Sequence, residues 1–191
     1  MRIAILGAGG VGSYYGGMLA RAGHRVSMLA RGAHLAAFRG RNLESRTPDG
    51  VFFVAVAATD LVTELGAPDL AIVAVKGYSL GDILPAARHL AGNGATVLAL
   101  LNGVEAVDRL AAGGVARDHL LGGITHISAV RTGPGVVERR SEIRRITLAE
   151  IDGRRSERVG RVASRASGGR PAWRPPFTTR PWRRSPRLQG G

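Results

Sequence analysis

Six residues near the N-terminus, Gly7-Ala8-Gly9-Gly10-Val11-Gly12, fit the pattern G-x-G-x-x-G. Alone, the pattern says little. Here it follows the short apolar run of residues 2–6 (RIAIL) and opens an amphipathic stretch over 10–23, and that strand–turn–helix setting gives the spacing its chemistry. Gly7 permits a tight turn. Gly9 lets backbone approach a pyrophosphate with no Cβ in the way, and Gly12 lets helix and strand pack closely. Ala8, Gly10 and Val11 complete a loop whose free N–H groups sit at the positive end of a helix dipole. The group such a loop holds is a dinucleotide. Nicotinamide and flavin dinucleotides share the fingerprint, and so does a ligand-free glycine turn, so the motif alone leaves these open.

Four further residues bear on the ligand. A site for an unphosphorylated ribose places Asp or Glu at the end of the second strand. The corresponding text is Met28-Leu29-Ala30-Arg31-Gly32, and no acid occurs between Gly12 and Glu44. Arg31 suits a 2′-phosphate, which favours NADPH over NADH; the alternative is an ordinary solvated arginine. Lys76 is the sole lysine of the chain and follows the apolar strand text of residues 70–75. Beyond the carboxyl end of a parallel strand it can hold a phosphate or a carboxylate, or simply cap the strand in solvent. Asn102 ends the next strand; its amide can bond a ribose or a substrate, or serve an Asn-Gly turn. Ser128 and His126 lie near the end of a later strand, where a lone histidine also fits a structural role.

The elements that must position these residues alternate. Strands are predicted over 2–6, 25–30, 70–75, 96–101, 120–127, 136–138 and 146–151, with two extended pieces near Leu43 and over 51–56. Helices are predicted over 10–23, 33–38, 80–90 and 104–112. Apolar strands alternating with helices indicate an α/β fold with a doubly wound, mostly parallel sheet, and the closely spaced later strands read as antiparallel additions at one edge.

Taken in order, residues 1–31, AIVAVKGYSL, LALLNGVEAVDRL and LGGITHISAVRTGPGVVE resemble the N-terminal half of the ketopantoate reductases (2-dehydropantoate 2-reductases), from Met1 to about Val159. The resemblance implies a Rossmann-like domain and NADPH-dependent reduction of 2-dehydropantoate to (R)-pantoate, a step of pantothenate and coenzyme A biosynthesis. By the same resemblance Gly7 to Gly12 would hold the pyrophosphate and Arg31 the 2′-phosphate. Lys76 and Asn102 would line the nicotinamide end, with Ser128 near the cofactor. Hydride transfer to C2 of a 2-oxo acid also needs a proton donor and an anchor for the carboxylate. In the family the donor is a lysine on a second, all-helical domain. No lysine follows Lys76 here, residues 153–159 resemble only the start of the helix that would lead to that domain, and the expectation is a truncated chain with a cofactor site and impaired catalysis. Two other readings stand beside it: a non-catalytic dinucleotide module with a basic interaction tail, and a related NADP-dependent dehydrogenase of another 2-oxo or 3-hydroxy acid.

The composition divides the chain near residue 160. The net charge is +13, but residues 160–191 hold eight arginines and no acid, leaving +5 for residues 1–159. The reading is therefore a dinucleotide-binding domain over 1–159 and a disordered, Arg/Pro/Gly-rich tail over 160–191. Three readings of that tail stand side by side: a basic segment for RNA or acidic lipid, an inert extension, or a shifted reading frame of a GC-rich gene, which the 26 arginines and one lysine of the chain favour. A charge carried mainly by a tail argues against a folded nucleic-acid interface. With no cysteine there is no disulfide or zinc-thiolate site, as suits a reducing cytoplasm. No apolar run reaches the roughly 18 residues of a membrane span, and no targeting segment is read. The expected partner is a small 2-oxo acid, and no metal site is expected.

Overall fold

The computed structural model describes residues 1–101, 105–167 and 177–178. The chain runs β1 (Arg2–Leu6), α1 (Gly10–Arg21), β2 (Arg25–Leu29), α2 (Gly32–Gly40), β3 (Leu43–Thr47), β4 (Gly50–Val54), β5 (Ala57–Thr59), β6 (Leu70–Val73), α3 (Leu80–Gly92), β7 (Thr96–Ala99), α4 (Ala106–Ala112), β8 (Leu120–His126), β9 (Ala129–Gly133), β10 (Val136–Arg139), β11 (Arg145–Ala149), α5 (Glu157–Ser167) and β12 (Phe177–Thr178).

Eight strands form the main sheet in the order β12-β11-β8-β7-β6-β1-β2-β5. From β8 to β5 every neighbouring pair is parallel, and β11 joins β8 antiparallel. All four residues of β6 and the last four of β1 are buried. That is the pattern of strands covered on both faces. One face packs against α3 and α4 through Ile83, Ala87, Leu90 and Leu110. The other packs against α1 and α5 through Tyr15, Leu19, Val159 and Val162. This is the doubly wound α/β architecture that the alternation of elements indicated.

A second sheet, of order β4-β3-β10-β9, lies against the outer side of α1. The extended pieces near Leu43 and over 51–56 belong to it, together with β10 and with β9, which the sequence reading did not name as a strand. Of the later strands read as antiparallel edge additions, β8 joins the main sheet in parallel beside β7 and only β11 adds to it antiparallel; the two-residue β12, which was not expected, pairs with β11. Sandwiched between two sheets, α1 is buried nearly all round, from Gly12 to Leu19. Tyr14 and Tyr15 serve opposite sides. Tyr15 Oη bonds Thr125 Oγ1 of β8 at 2.5 Å, and Tyr14 lies 5.7 Å beneath the buried guanidinium of Arg139 of β10. Gly16 and Gly17 make room for this. A Cβ at Gly16 would stand 2.5 Å from Met28 Cε, and one at Gly17 would stand 2.7 Å from Leu43 Cδ2.

The boundary expected at 159/160 falls inside α5. Val159, Val162, Ala163 and Ala166 are buried in the same core as β1. Ser156 Oγ accepts the Val159 N–H at 3.1 Å, as an N-capping serine does. His24 Nε2 lies 3.2 Å from the Ala166 carbonyl, which ties the far end of α5 to β2. The basic composition hid how far this helix runs past residue 159, because Arg161 and Arg165 lie on its exposed face while a short apolar stripe faces the sheet. The rest of the expected tail, apart from residues 177–178, lies outside the described residues.

Candidate dinucleotide site

β1 has β2 on one side and β6 on the other, so the strand order reverses beside its carboxyl end. Open α/β sheets bind ligands at such a switch point. The glycine loop sits there, and each glycine meets a different constraint. Gly7 has φ +107°, a left-handed conformation that L side chains rarely adopt, and its Cβ would stand 2.5 Å from Val75 Cγ1. A Cβ on Gly10 would stand 2.2 Å from the Ala129 carbonyl oxygen, and one on Gly12 would stand 2.0 Å from the Gly7 carbonyl oxygen. Around Gly9, by contrast, nothing lies within 4 Å of a Cβ. Three of the glycines are demanded by the protein's own packing; Gly9 faces open space. Gly9 is also the N-cap of α1, with no side-chain cap and no acid in the first turn, so no side chain there answers the free N–H groups or the positive end of the helix dipole. Ala8 is buried and Val11 is half-buried beside this turn.

Arg31 follows β2 directly and occupies the N-cap position of α2. It is exposed, and among the described residues it makes no ion pair. Lys76 lies three residues past the end of β6, where it starts a single 3-10 turn over Gly77–Ser79. It too is exposed, with Nζ 5.8 Å from the ring centroid of Tyr78. Ser128 sits in the exposed link between β8 and β9. Its N–H donates to Ser141 Oγ at 3.0 Å, and its carbonyl accepts the Arg140 N–H at 2.8 Å. Ala129, next to it, is the residue packed on Gly10, so the glycine loop, β9 and Ser128 come together. Asn102 lies outside the described residues. Among the described residues no group of three or more His, Cys, Asp or Glu is placed to hold a metal ion. Nor is any described helix long and apolar enough to cross a membrane.

Sequence reasoning passed over His34 and Ser13. Both are buried, and Ser13 Oγ lies 3.2 Å from His34 Nε2 and 3.0 Å from the Ala8 carbonyl oxygen. On its other side His34 Nδ1 accepts the Gly135 N–H at 2.9 Å. Nothing in the local sequence marks the pair, because the contact joins α1, α2 and the β9–β10 turn. Burial, aided by the nearby positive charge of Arg131 and opposed by a bond to the Ala8 backbone, holds the His34 pKa below its ordinary value. Burial also lowers His24, whose Ala166 bond pulls the other way and whose neighbouring N-terminal ammonium adds to the lowering.

The unfolded chain therefore takes up protons near the ordinary histidine pKa of about 6.5 that the folded chain refuses. These two groups contribute their full stability above about pH 6.5, and it is lost as the pH falls below that value toward the depressed folded-state pKa. Thermal melts from pH 7.5 to 5 are expected to show a falling midpoint before the carboxylates titrate. A midpoint that is flat over that range contradicts the assignment.

The profile of the family described as ketopantoate reductase PanE/ApbA matches residues 3–153. The chain belongs to this family. A 2-dehydropantoate 2-reductase of Pyrococcus abyssi is 39% identical over 139 residues, covering 72% of this chain and 44% of that protein. The crystal structure of a PanE/ApbA family ketopantoate reductase from Ralstonia eutropha superposes with a TM-score of 0.81 at 29% identity, covering 94% of this chain and 56% of that one. A ternary structure of D-mandelate dehydrogenase with NADH and anilino(oxo)acetate superposes with a TM-score of 0.77 at 25% identity, over 88% of this chain and 54% of the other. The chain thus spans about half the length of these oxidoreductase relatives, and its match to PanE/ApbA ends within a few residues of α5.

Proposed function

We propose that this chain is the cofactor-binding half of an NADPH-dependent 2-dehydropantoate 2-reductase. The observation that carries the reading is the contrast within the glycine loop. Protein atoms crowd Gly7, Gly10 and Gly12, whereas Gly9 opens onto free space at the switch point of the sheet. A pyrophosphate fits against that opening, held by the uncapped N–H groups of α1. The exposed guanidinium of Arg31 takes the 2′-phosphate as a charge-assisted, bidentate contact. Lys76, with its mobile ammonium beyond β6, lines the nicotinamide end together with Asn102 and anchors substrate carboxylate, while Ser128 approaches from the β8–β9 link. When bound, the nicotinamide supplies a hydride to C2 of the 2-oxo acid.

A proton must also reach the developing alkoxide, and no lysine follows Lys76 in this sequence. The 191-residue chain is therefore expected to bind NADPH but not to turn over 2-dehydropantoate. Thermal unfolding with and without NADPH tests this reading. At about 100 times Kd a ligand specific to the folded state adds about 2.7 kcal/mol. For a chain of this size that raises Tm by roughly 5–10 °C. No shift at saturating NADPH, or steady oxidation of NADPH by 2-dehydropantoate at the usual enzyme rates of roughly 1 to 10³ per second, contradicts it.

A further inference from the structure

The hydrogen bonds around His34 can run in only one direction. The Gly135 N–H can only donate, so His34 Nδ1 accepts, and the Ala8 carbonyl can only accept, so the Ser13 hydroxyl donates to it. The hydroxyl oxygen is then left to accept from His34 Nε2–H across 3.2 Å. His34 is neutral, in a single tautomer, and each of its ring nitrogens is used.

This chain ends on a peptide that matters to the ligand. In a trans peptide the C=O and N–H point in opposite directions. With the Ala8 carbonyl drawn inward onto the buried Ser13, the N–H of the same peptide, that of Gly9, is turned outward toward the open space. Among the described residues that N–H has no hydrogen-bond partner. The other end of the chain is rooted in the turn between β9 and β10, and the first residue of β9, Ala129, packs on Gly10. The β9–β10 hairpin thus braces the glycine loop at two points, one by contact and one through His34 and Ser13.

We infer that Ser13 and His34 are positioning residues for the dinucleotide, fixing the Ala8–Gly9 peptide so that the Gly9 N–H faces the pyrophosphate. The inference rests on the glycine loop being a dinucleotide site. Neither side chain touches the ligand; both act through the Ala8 carbonyl.

Amide substitutions separate this role from a merely structural one, because the amide of Gln reaches the place of Nε2 and that of Asn the place of Nδ1. His34→Gln keeps the donor to Ser13 and gives up Gly135. His34→Asn keeps the acceptor for Gly135 and gives up Ser13. NADPH Kd is measured for both, for Ser13→Ala and for the unmodified chain, with thermal melts in parallel. His34→Asn and Ser13→Ala are expected to bind about 5- to 10-fold more weakly, the size of one lost hydrogen bond, and His34→Gln within about twofold of the unmodified chain. If Asn and Gln at position 34 bind NADPH equally well, or Asn better, the inference is overturned while the dinucleotide reading stands. If the unmodified chain does not bind, both fall together. Should His34→Asn fail to fold, Ser13→Ala against His34→Gln carries the same distinction.

Discussion

Gly12→Ala is expected to unfold the domain or lower its Tm by well over 5 °C, whereas Gly9→Ala is expected to fold normally and lose the dinucleotide. The two substitutions add the same methyl group three residues apart. At Gly12 it would stand 2.0 Å from the Gly7 carbonyl oxygen and 3.0 Å from Ile5 Cγ2. The first obstacle is backbone, so no side-chain rotation relieves it, and either α1 or the end of β1 must shift. Overpacking in a dense core costs about 1–3 kcal/mol where side chains can yield, and a backbone obstacle puts Gly12 at the upper end or beyond. At about 2–4 °C per kcal/mol for this chain length, the melt shows it directly.

Gly9 has φ −78° and ψ −164°, which alanine adopts freely, and open space where the Cβ would go. Alanine there costs the fold nothing and narrows the chain's unfolded freedom slightly. The added methyl instead occupies the approach of the pyrophosphate, and NADPH affinity is expected to fall at least tenfold. Melting curves and NADPH titrations on both variants check the pair. Equal Tm losses in the two, or unchanged NADPH affinity in Gly9→Ala, run against the assigned roles.

Arg31→Asp is expected to weaken NADPH on the order of 100-fold while changing NADH affinity little or improving it. A charge-assisted hydrogen bond is worth about 1.5–3 kcal/mol, and Asp adds repulsion of the 2′-phosphate in place of attraction. Against the 2′-OH of NADH the same carboxylate is an acceptor placed where an NAD-binding site has one. Because Arg31 is exposed and makes no ion pair among the described residues, its replacement leaves no buried partner stranded. Tm should move by no more than a degree or two, so a binding change can be read without a folding change. Equal affinity of Arg31→Asp and the unmodified chain for NADPH makes Arg31 a surface arginine. An NADPH preference measured this way would set this chain apart from its structural neighbour D-mandelate dehydrogenase, whose structure holds NADH.

How far the sequence was readable depended on the range over which each feature is encoded. The glycine loop was legible because its signal is local: a strand, six residues and a helix, with the positive φ of Gly7 as its physical content. The buried strands β6 and β7 were equally plain, as uninterrupted apolar text with both faces covered. The second sheet was not, because β3 pairs in parallel with β10 across some ninety residues of chain, and short alternating strands do not name their partners. That Tyr14 and Tyr15 are both core residues was hidden for the same reason: neighbours on a helix face different ways, and only a sheet on each side of α1 buries both. The boundary at 160 misled because composition outweighed periodicity. Val159, Val162, Ala163 and Ala166 follow the i, i+3, i+4, i+7 spacing of a helix face, which a reading divided at 160 cut in two. His34 and Ser13 carry no sequence signature at all. Their link to Ala8 exists only once α1, α2 and the β9–β10 turn are packed together.

The central claim is that the first βαβ unit of this chain holds a phosphorylated nicotinamide dinucleotide. Calorimetric titration of the unmodified 191-residue chain with NADPH, and separately with NADH, tests it most directly. The account requires saturable binding of one NADPH per chain, at least about tenfold tighter than NADH, as a charge-assisted contact to the 2′-phosphate implies. No binding of either nucleotide, or NADH binding as tightly as NADPH, would contradict it.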